Sequence, residues 1–228
     1  MKYSIVIPTY NHCDDLLKPC IDSLIRNTDM SDIELIIVAN GCTDNTREYV
    51  NSVPGNVILV WNDEPIGYTR ATNRGIGCST GDYILLLNND VQILDFWSKN
   101  AWMNALTEPF IHDEKMAITG TVKYVEHSIN REFLIFSCVL IKRQVFGQIG
   151  MLDEIFSPGY GEDIDFCLRA EEAGLKWLCV DNTTEQNGMH IGNFPIYHKG
   201  TATFGDQLAD YIQVVARNKQ TLIDRYNK

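Results

Sequence analysis

The sequence has few of the features that mark a membrane, disulfide-rich or nucleic-acid-binding protein. No run of about 18 apolar residues occurs, and the start, MKYSIVIPTYN, lacks the long apolar segment of a signal peptide. We therefore expect no transmembrane helix, no stable membrane anchoring and a cytoplasmic location. The seven cysteines form no CxxC pair and are odd in number, which indicates scattered reduced thiols in a reducing compartment.

Positive charge is also scarce. The 228 residues include 19 Lys and Arg against 30 Asp and Glu, a formal net charge of −11. A nucleic-acid binder needs a basic face to displace counterions from phosphate, so this balance argues against nucleic acid as a partner but still allows a local pocket for one nucleotide. The hydrophobic content of 45% excludes bulk disorder and predicts a sizeable core.

Several catalytic motifs are missing. The sequence has no GxSxG nucleophile elbow, no GxxxxGK[ST] phosphate loop and no HExxH zinc motif. Its GxG sequences, at 75–77 and 159–161, lack the strand–turn–helix context of a dinucleotide site. The chemistry must therefore come from other polar clusters.

The first 90 residues alternate short apolar runs with segments of helical periodicity. Strands are predicted at 3–7, 33–38, 57–61 and 83–87, and helices at 14–28, from the 40–44 turn to about 50, and at 68–78. This alternation predicts an α/β fold with a mostly parallel, Rossmann-like sheet flanked by helices. Ligands bind beyond the carboxyl ends of such strands, where we expect the loops that begin at Pro8, Asn40 and Asn88 to meet.

The second half of the sequence is less regular. It predicts strands at 117–125, 133–141 and 176–180, a helix at 162–173 ended by Gly174, a loop region over 181–205 and an amphipathic C-terminal helix at 207–226. We expect a single domain, 1–228, with a regular first part, 1–90, and a less regular second part, 91–228.

Three polar clusters carry candidate chemistry. Asn88, Asn89 and Asp90 follow a strand and could hold a divalent cation, although Asn and Asp are also ordinary turn residues. The carboxylates of 162–165 could supply a general base, although acidic residues at a helix start are also favoured by the helix dipole and Asp165 can pair with Arg169. His198 could complete a metal site or serve a structural role, and His190 is an alternative ligand.

The order of these clusters resembles that of family-two inverting glycosyltransferases of the GT-A fold, in the rhamnosyltransferase-like branch. The resemblance spans nearly the whole chain. It is carried by SIVIPTYN (4–11), IIVANGCTD (36–44), GYTRATNRG (67–75), GDYILLLNND (81–90), QVFGQIGMLDE (144–154) and GEDIDFCLR (161–169). Each segment is weak alone, but the ordered set is specific.

The resemblance implies a role for each cluster. Asp163 would be the catalytic base, with Glu162 and Tyr160 on the acceptor side, and Asp90 and His198 would hold Mn²⁺ or Mg²⁺. The residues implied for donor binding are Pro8, Thr9, Tyr10, Asn40, Arg70, Asn73, Asn88 and Asn89. The implied activity is that of an inverting, hexosyltransferase-type glycosyltransferase in glycan or polysaccharide synthesis, with UDP-sugar as the first expectation for the donor and dTDP- or GDP-sugar as alternatives. The acceptor would be a glycan or another hydroxyl compound. The resemblance also implies that 1–90 is the nucleotide-binding half of the domain and 91–228 the acceptor and catalytic-base half.

Two departures from the family pattern keep other functions open. Asn88 replaces the first carboxylate of the DxD metal motif, and Ala39 and Asn40 replace acidic residues common after the second strand. A decayed, non-catalytic nucleotide-sugar-binding module is therefore an alternative. A nucleotidyltransferase is less well supported, because no basic, glycine-rich loop follows the first strand. Acceptor specificity is expected in 123–132 and 181–205, where the family signal fades.

Overall fold

The computed structural model describes residues 2–186, 189–200 and 208–227. The strands are β1 (Tyr3–Thr9), β2 (Ile33–Asn40), β3 (Val57–Asn62), β4 (Tyr83–Leu87), β5 (Val91–Ile93), β6 (Met116–Glu126), β7 (Arg131–Leu134), β8 (Cys138–Lys142), β9 (Lys176–Gln186), β10 (Met189–Ile191) and β11 (Ile196–His198). The helices are α1 (Lys18–Asn27), α2 (Thr46–Ser52), α3 (Tyr68–Cys78), α4 (Ala101–Thr107), α5 (Pro109–His112), α6 (Arg143–Ile149), α7 (Glu162–Glu172) and α8 (Leu208–Tyr226).

One large sheet organises the described part of the chain, in the order β10-β9-β6-β8-β4-β1-β2-β3, with β7 paired to β6. Strands β4, β1, β2 and β3 run parallel, and β6 is parallel to β9. Strand β8 is antiparallel to both neighbours. Because β8 is antiparallel to both β4 and β6, β6 runs in the same direction as β4. The carboxyl ends of β4, β1, β2 and β6 therefore lie at the same edge of the sheet. The predicted mostly parallel α/β fold is confirmed.

Apolar side chains cover both faces of this sheet. In β1, Val6 packs on one face with helices α3, α6, α7 and α8, whereas Ile5 and Ile7 pack on the other with α1, α2 and α4. All three side chains have no exposed surface. A strand buried on both faces reads as a continuous apolar run, which is why this strand was recognisable in the sequence.

The structure corrects three predicted elements. The run 133–141 is not one strand, because residues 135–137 separate β7 from β8 and bond to Val122 in β6, Tyr68 in α3 and Asn88 after β4. The region 181–205 is not simply a loop, since β9 continues to Gln186 and is followed by β10 and β11. The first strand extends one residue beyond Pro8, because its pairing with β2 continues to Thr9. The C-terminal helix is confirmed as α8.

Among residues 2–186, 189–200 and 208–227, no helix is both long enough and apolar enough to cross a membrane.

Candidate functional site

The three polar loops meet at the carboxyl edge of the sheet, as predicted. Register pairing brings Thr9 beside Ala39 and Asn40 beside Asn62. The loop after β4 is tied to them because Nδ2 of Asn89 donates a hydrogen bond of 2.9 Å to Oγ1 of Thr9. The loops that follow β1, β2 and β4 therefore lie together at this edge.

Asp90 and His198 are in contact at this edge of the sheet. Nε2 of His198 lies 3.1 Å from Oδ1 of Asp90, and both side chains are less than one-tenth exposed. The short ladder of β5 with β11 produces the contact, because it sets His198 opposite Val91, the residue after Asp90. The backbone N–H of Lys199 also donates to the carbonyl of Asp90 at 3.2 Å. The side chain of the alternative ligand His190 lies outside the described residues.

The residues around Asp90 fit a divalent cation. Oδ1 of Asp90 and Oδ1 of Asn88 are buried and accept no hydrogen bond of good geometry in the described part of the chain. Carboxylate, amide and imidazole groups are ordinary ligands of such ions. Adjacent ligands of an octahedral ion at about 2.1 Å lie about 3 Å apart, close to the separation of Asp90 and His198.

The ligand set is small. The described residues contain no cluster of three His, Cys, Asp or Glu side chains able to hold a metal. A cation here would therefore have one carboxylate, one imidazole and the amide oxygen of Asn88 as candidate protein ligands, with substrate or water in its other positions.

The acidic cluster of residues 162–165 forms the first turn of α7. The helix begins after Gly161, which has a φ of +100°, and Glu162 and Asp163 are its first two residues. Glu162 is 6% exposed, and its Oε2 forms no hydrogen bond within the described chain. Asp163 keeps part of its surface exposed and accepts a bond of 2.8 Å from the N–H of Ile164.

Burial raises the pKa of both carboxyl groups in this turn, and the negative charge of Asp163 raises the pKa of Glu162 further. Hydrogen bonds from backbone N–H groups, including that of Ile164, act in the opposite direction on Asp163. A carboxylate whose pKa is closer to neutrality accepts a proton more readily, and Asp163 has the exposure to do so.

Tyr68 and the 136–137 segment connect the two acidic clusters. The N–H of Asn88 donates to the carbonyl of Ser137 at 2.9 Å, and the hydroxyl of Tyr68 donates to the carbonyl of Phe136 at 3.2 Å. Asp163 accepts a hydrogen bond from the backbone of Phe136. Burial and the charges of both clusters raise the pKa of the Tyr68 hydroxyl. Hydrogen bonds through residues 136–137 therefore link the loop after β4 to the first turn of α7.

Sequence reasoning gave no functional role to Tyr68 or Ser137. Ser137 is fully buried, and its Oγ has no hydrogen-bond partner in the described residues, which is uncommon for a buried hydroxyl. It lay inside an apolar run predicted as a strand. The signal that could have identified it is a lone serine within that run.

Asn73, expected on the donor side, makes hydrogen bonds within the chain, and its donor role stays a prediction. Its amide donates to the carbonyl of Leu152 at 2.9 Å and to Oε1 of Glu154 at 3.3 Å, and its Oδ1 accepts from the N–H of Leu152 at 3.1 Å. These bonds occupy both amide hydrogens, so Asn73 anchors the segment after α6. Arg70 is exposed and pairs with Glu154 at 3.4 Å, and its donor role stays a prediction.

The remaining donor-side residues surround the ends of β1 and β2. Pro8 is buried within β1, and Tyr10 beyond it is 37% exposed. Oδ1 of Asn40 accepts a bond of 2.8 Å from the N–H of Ile66, which fixes the orientation of its amide. Their predicted contact with a nucleotide remains a prediction.

On the acceptor side, the hydroxyl of Tyr160 is occupied, because it donates to Oε2 of Glu126 at 2.6 Å. The predicted pair of Asp165 and Arg169 is confirmed at 2.7 Å.

The chain is similar to known glycosyltransferases. The model of Glycosyl transferase family 2 matches residues 4–153. An O-antigen biosynthesis protein, RfbC, from Myxococcus xanthus is 26% identical over 223 residues, covering 80% of this chain and 17% of the relative. A PGL/p-HBAD biosynthesis glycosyltransferase of Mycobacterium bovis is 36% identical over 91 residues, covering 39% of this chain and 35% of that protein. This chain thus spans a minor part of these relatives.

Solved structures share the GT-A fold. The mannosyltransferase PcManGT of Pyrobaculum calidifontis, solved with GDP-Man and Mn²⁺, has a TM-score of 0.68 at 16% identity, covering 98% of this chain and 64% of its own. GalNAc-T7, solved with UDP, GalNAc and Mn²⁺, has a TM-score of 0.62 at 17% identity, covering 77% of this chain and 41% of its own. Because the family model covers most of the sequence, the chain belongs to Glycosyl transferase family 2.

Proposed function

We propose that this chain transfers a sugar from a nucleoside-diphosphate donor to an acceptor hydroxyl with inversion of configuration. The observation that carries the proposal is the position of Asp163 and of the Asp90–His198 pair in one site, joined through Tyr68 and residues 136–137. Inversion follows from single displacement, which needs one base and no protein nucleophile.

Asp163 is the base in this proposal. Its carboxylate removes the proton of the acceptor hydroxyl as that oxygen attacks the sugar carbon bonded to the diphosphate. The raised pKa makes the carboxylate a stronger proton acceptor than an ordinary aspartate, and its partial exposure leaves room for the acceptor. Glu162 and Tyr160 adjoin it and line the acceptor side.

Asp90 and His198, with the amide oxygen of Asn88, would hold Mn²⁺ or Mg²⁺. When bound, the ion would neutralise negative charge on the diphosphate leaving group. The complexes of PcManGT and GalNAc-T7 both contain Mn²⁺, which supports a divalent metal here.

The donor side is formed in our proposal by Pro8, Thr9, Tyr10 and Asn40, with Arg70 near the phosphates. PcManGT binds a GDP-sugar and GalNAc-T7 binds UDP, so UDP-, dTDP- and GDP-sugars are all candidates. By analogy with the O-antigen biosynthesis protein, we propose that the acceptor is a growing glycan.

The test begins with donor binding and proceeds to transfer. Thermal shifts with UDP-, dTDP- and GDP-sugars, with and without Mn²⁺, identify the donor class, since a ligand bound at 100 times its Kd stabilises by about 2.7 kcal/mol. Transfer to a panel of p-nitrophenyl glycosides follows, scored by product and nucleotide release. We expect Asp163→Asn to lower kcat by about 10²- to 10⁴-fold while donor binding persists.

The controls separate the roles. Asp90→Ala should remove the Mn²⁺-dependent part of donor stabilisation, whereas Asp113→Asn, in a carboxylate bonded to Lys176 at the start of β9, should change neither property. Undiminished turnover in both Asp163→Asn and Asp90→Ala refutes the mechanism. Metal-dependent donor binding with no product from any acceptor would favour the non-catalytic binding module.

A further inference from the structure

The residue that precedes the base helix has an unusual backbone conformation. Tyr160 has a φ of +77°, in the left-handed region that non-glycine residues seldom adopt. Gly161 follows with a φ of +100°, where an added Cβ would lie 2.9 Å from the ring of Phe156. Such conformations persist when surrounding contacts over-determine them, and they concentrate at functional sites.

Two buried side chains from distant parts of the chain hold Tyr160. Oε2 of Glu126, at the end of β6, accepts its hydroxyl at 2.6 Å, and Nδ2 of Asn218 in α8 donates to its carbonyl at 2.7 Å. Glu126 is 6% exposed and Asn218 is fully buried. The ammonium group of Lys219 lies 5.7 Å from the centre of the tyrosine ring.

Both holding residues have further bonds that stiffen the arrangement. Glu126 accepts the N–H of Ser128 at 2.9 Å. Burial alone would raise the pKa of Glu126, but the hydrogen bonds from Tyr160 and Ser128 lower it, so the carboxylate is a charged acceptor at neutral pH. Asn218 also donates to the carbonyls of Phe156, at 2.9 Å, and Gly159, at 3.1 Å.

We propose that Glu126 and Asn218 are positioning residues that act through Tyr160 to hold Asp163 against the acceptor hydroxyl. Tyr160 is three residues before Asp163, and the carbonyl of Gly161 accepts the N–H of Asp165 at 2.9 Å, the bond that closes the first turn of α7. Rotation of Tyr160 therefore turns the start of the helix that carries the base. A displacement of about 1 Å at a reacting group can cost about 10²-fold in rate. This inference rests on the proposed role of Asp163.

Tyr160→Phe removes the hydroxyl and keeps the ring, so it tests the proposal with little loss of packing. Using the nucleotide sugar and p-nitrophenyl glycoside that give turnover, we expect kcat to fall by about 10- to 100-fold. The KM for the donor should stay within about twofold, because Thr9, Asn40 and Asp90 keep their contacts. Tyr49→Phe, which removes another tyrosine hydroxyl from a carboxylate, that of Asp22, is the matched control and should keep full activity.

Rescue distinguishes positioning from general loosening. Glu126→Gln keeps an oxygen acceptor for the Tyr160 hydroxyl and should retain most of kcat, whereas Glu126→Ala should match Tyr160→Phe. Azide is already an anion and needs no base, so glycosyl-azide formation by Tyr160→Phe should be close to that of the unmodified chain. Equal losses with azide and with the hydroxyl acceptor would overturn the proposal.

A measurement without turnover completes the test. Amide hydrogen exchange at 161–166 should accelerate by at least about tenfold in Tyr160→Phe and remain unchanged in Tyr49→Phe. Unchanged exchange overturns the inference whether or not an acceptor has been found. Asp163→Asn separates the two ideas. If it keeps full turnover, the proposed base role of Asp163 fails. If it is inactive while Tyr160→Phe is fully active, only the positioning role fails.

Discussion

Replacing Asp165 tests how helix α8 is attached to the helix that carries the base. The Asp165 side chain has no exposed surface, and its Oδ2 accepts Nε of Arg169 at 2.7 Å. Its Oδ1 accepts Nη1 of Arg225 at 2.5 Å and the hydroxyl of Tyr226 at 2.6 Å. Asp165→Ala removes the acceptor that these three donors share.

The expected cost follows from burial and from the partners that remain. Removing one member of a buried ion pair costs about 3–5 kcal/mol. Arg169 keeps the carbonyl of Met151, Arg225 keeps Asp153, and their side chains are 20% and 33% exposed. We therefore expect the low end, about 3 kcal/mol. At about 2–4 °C per kcal/mol for a chain of this size, Tm should fall by roughly 6–12 °C.

Urea denaturation followed by fluorescence and circular dichroism measures this free energy of unfolding, provided that the two transitions coincide. Asp165→Asn keeps one acceptor oxygen and should lose about half as much. Asp22→Ala is the comparison, because its ion pair with Lys18 is exposed and contributes at most about 0.5 kcal/mol. If Asp165→Ala is no more destabilising than Asp22→Ala, the attachment of α8 through Asp165 is refuted.

Three further predictions concern pH, metal and packing. Burial raises the pKa of Glu162, so its contribution to the free energy of unfolding is most favourable below the ordinary glutamate pKa of about 4.3 and is lost as pH rises through the raised value. Glu162→Gln should therefore flatten the fall of the urea midpoint between pH 5 and 8. An unchanged slope of midpoint against pH would contradict this prediction. His198→Ala should raise the Mn²⁺ concentration for half-maximal thermal stabilisation by at least about tenfold. His112→Ala, which changes an exposed histidine, should leave that concentration unchanged. Equal Mn²⁺ concentrations for His198→Ala and the unmodified chain would exclude His198 as a ligand. Gly75→Ala places Cβ 2.3 Å from a side chain of β1, so overpacking of about 1–3 kcal/mol should exceed the helix-propensity gain of about 1 kcal/mol. Gly77→Ala, in the same helix, has open space around its Cβ and should not destabilise the protein. Thermal melts that rank the two variants in reverse would contradict this prediction.

The sequence predicted the elements of residues 1–90 well because each element there is determined locally. Strands β1, β2 and β4 are short apolar runs that end in polar residues, and α3 has helical periodicity between them. Parallel strands joined by helices must bring their carboxyl ends to one edge, so the pattern predicted that the loops beginning at Pro8, Asn40 and Asn88 would meet. The hydrogen bond of Asn89 with Thr9 was seen only in the structure.

The elements of residues 91–228 were predicted less well because they depend on pairing between distant segments. The break at 135–137 follows from bonds to Val122, Tyr68 and Asn88, which no local pattern indicates. The hydrogen bonds of the Asn73 amide with the backbone of Leu152 also join distant segments, and composition does not indicate them.

By itself, the sequence determined the α/β class, the order of the polar clusters and the residue types available for a base and a cation, because periodicity and strand-end polarity are local properties of the chain. Tertiary structure decided which of those residues meet. The ladder of β5 with β11 brings His198 to Asp90, residues 136–137 join that pair to Asp163, and Glu126 and Asn218 converge on Tyr160. Such contacts depend on the closure of long loops and on the burial of specific partners, which a linear pattern does not encode.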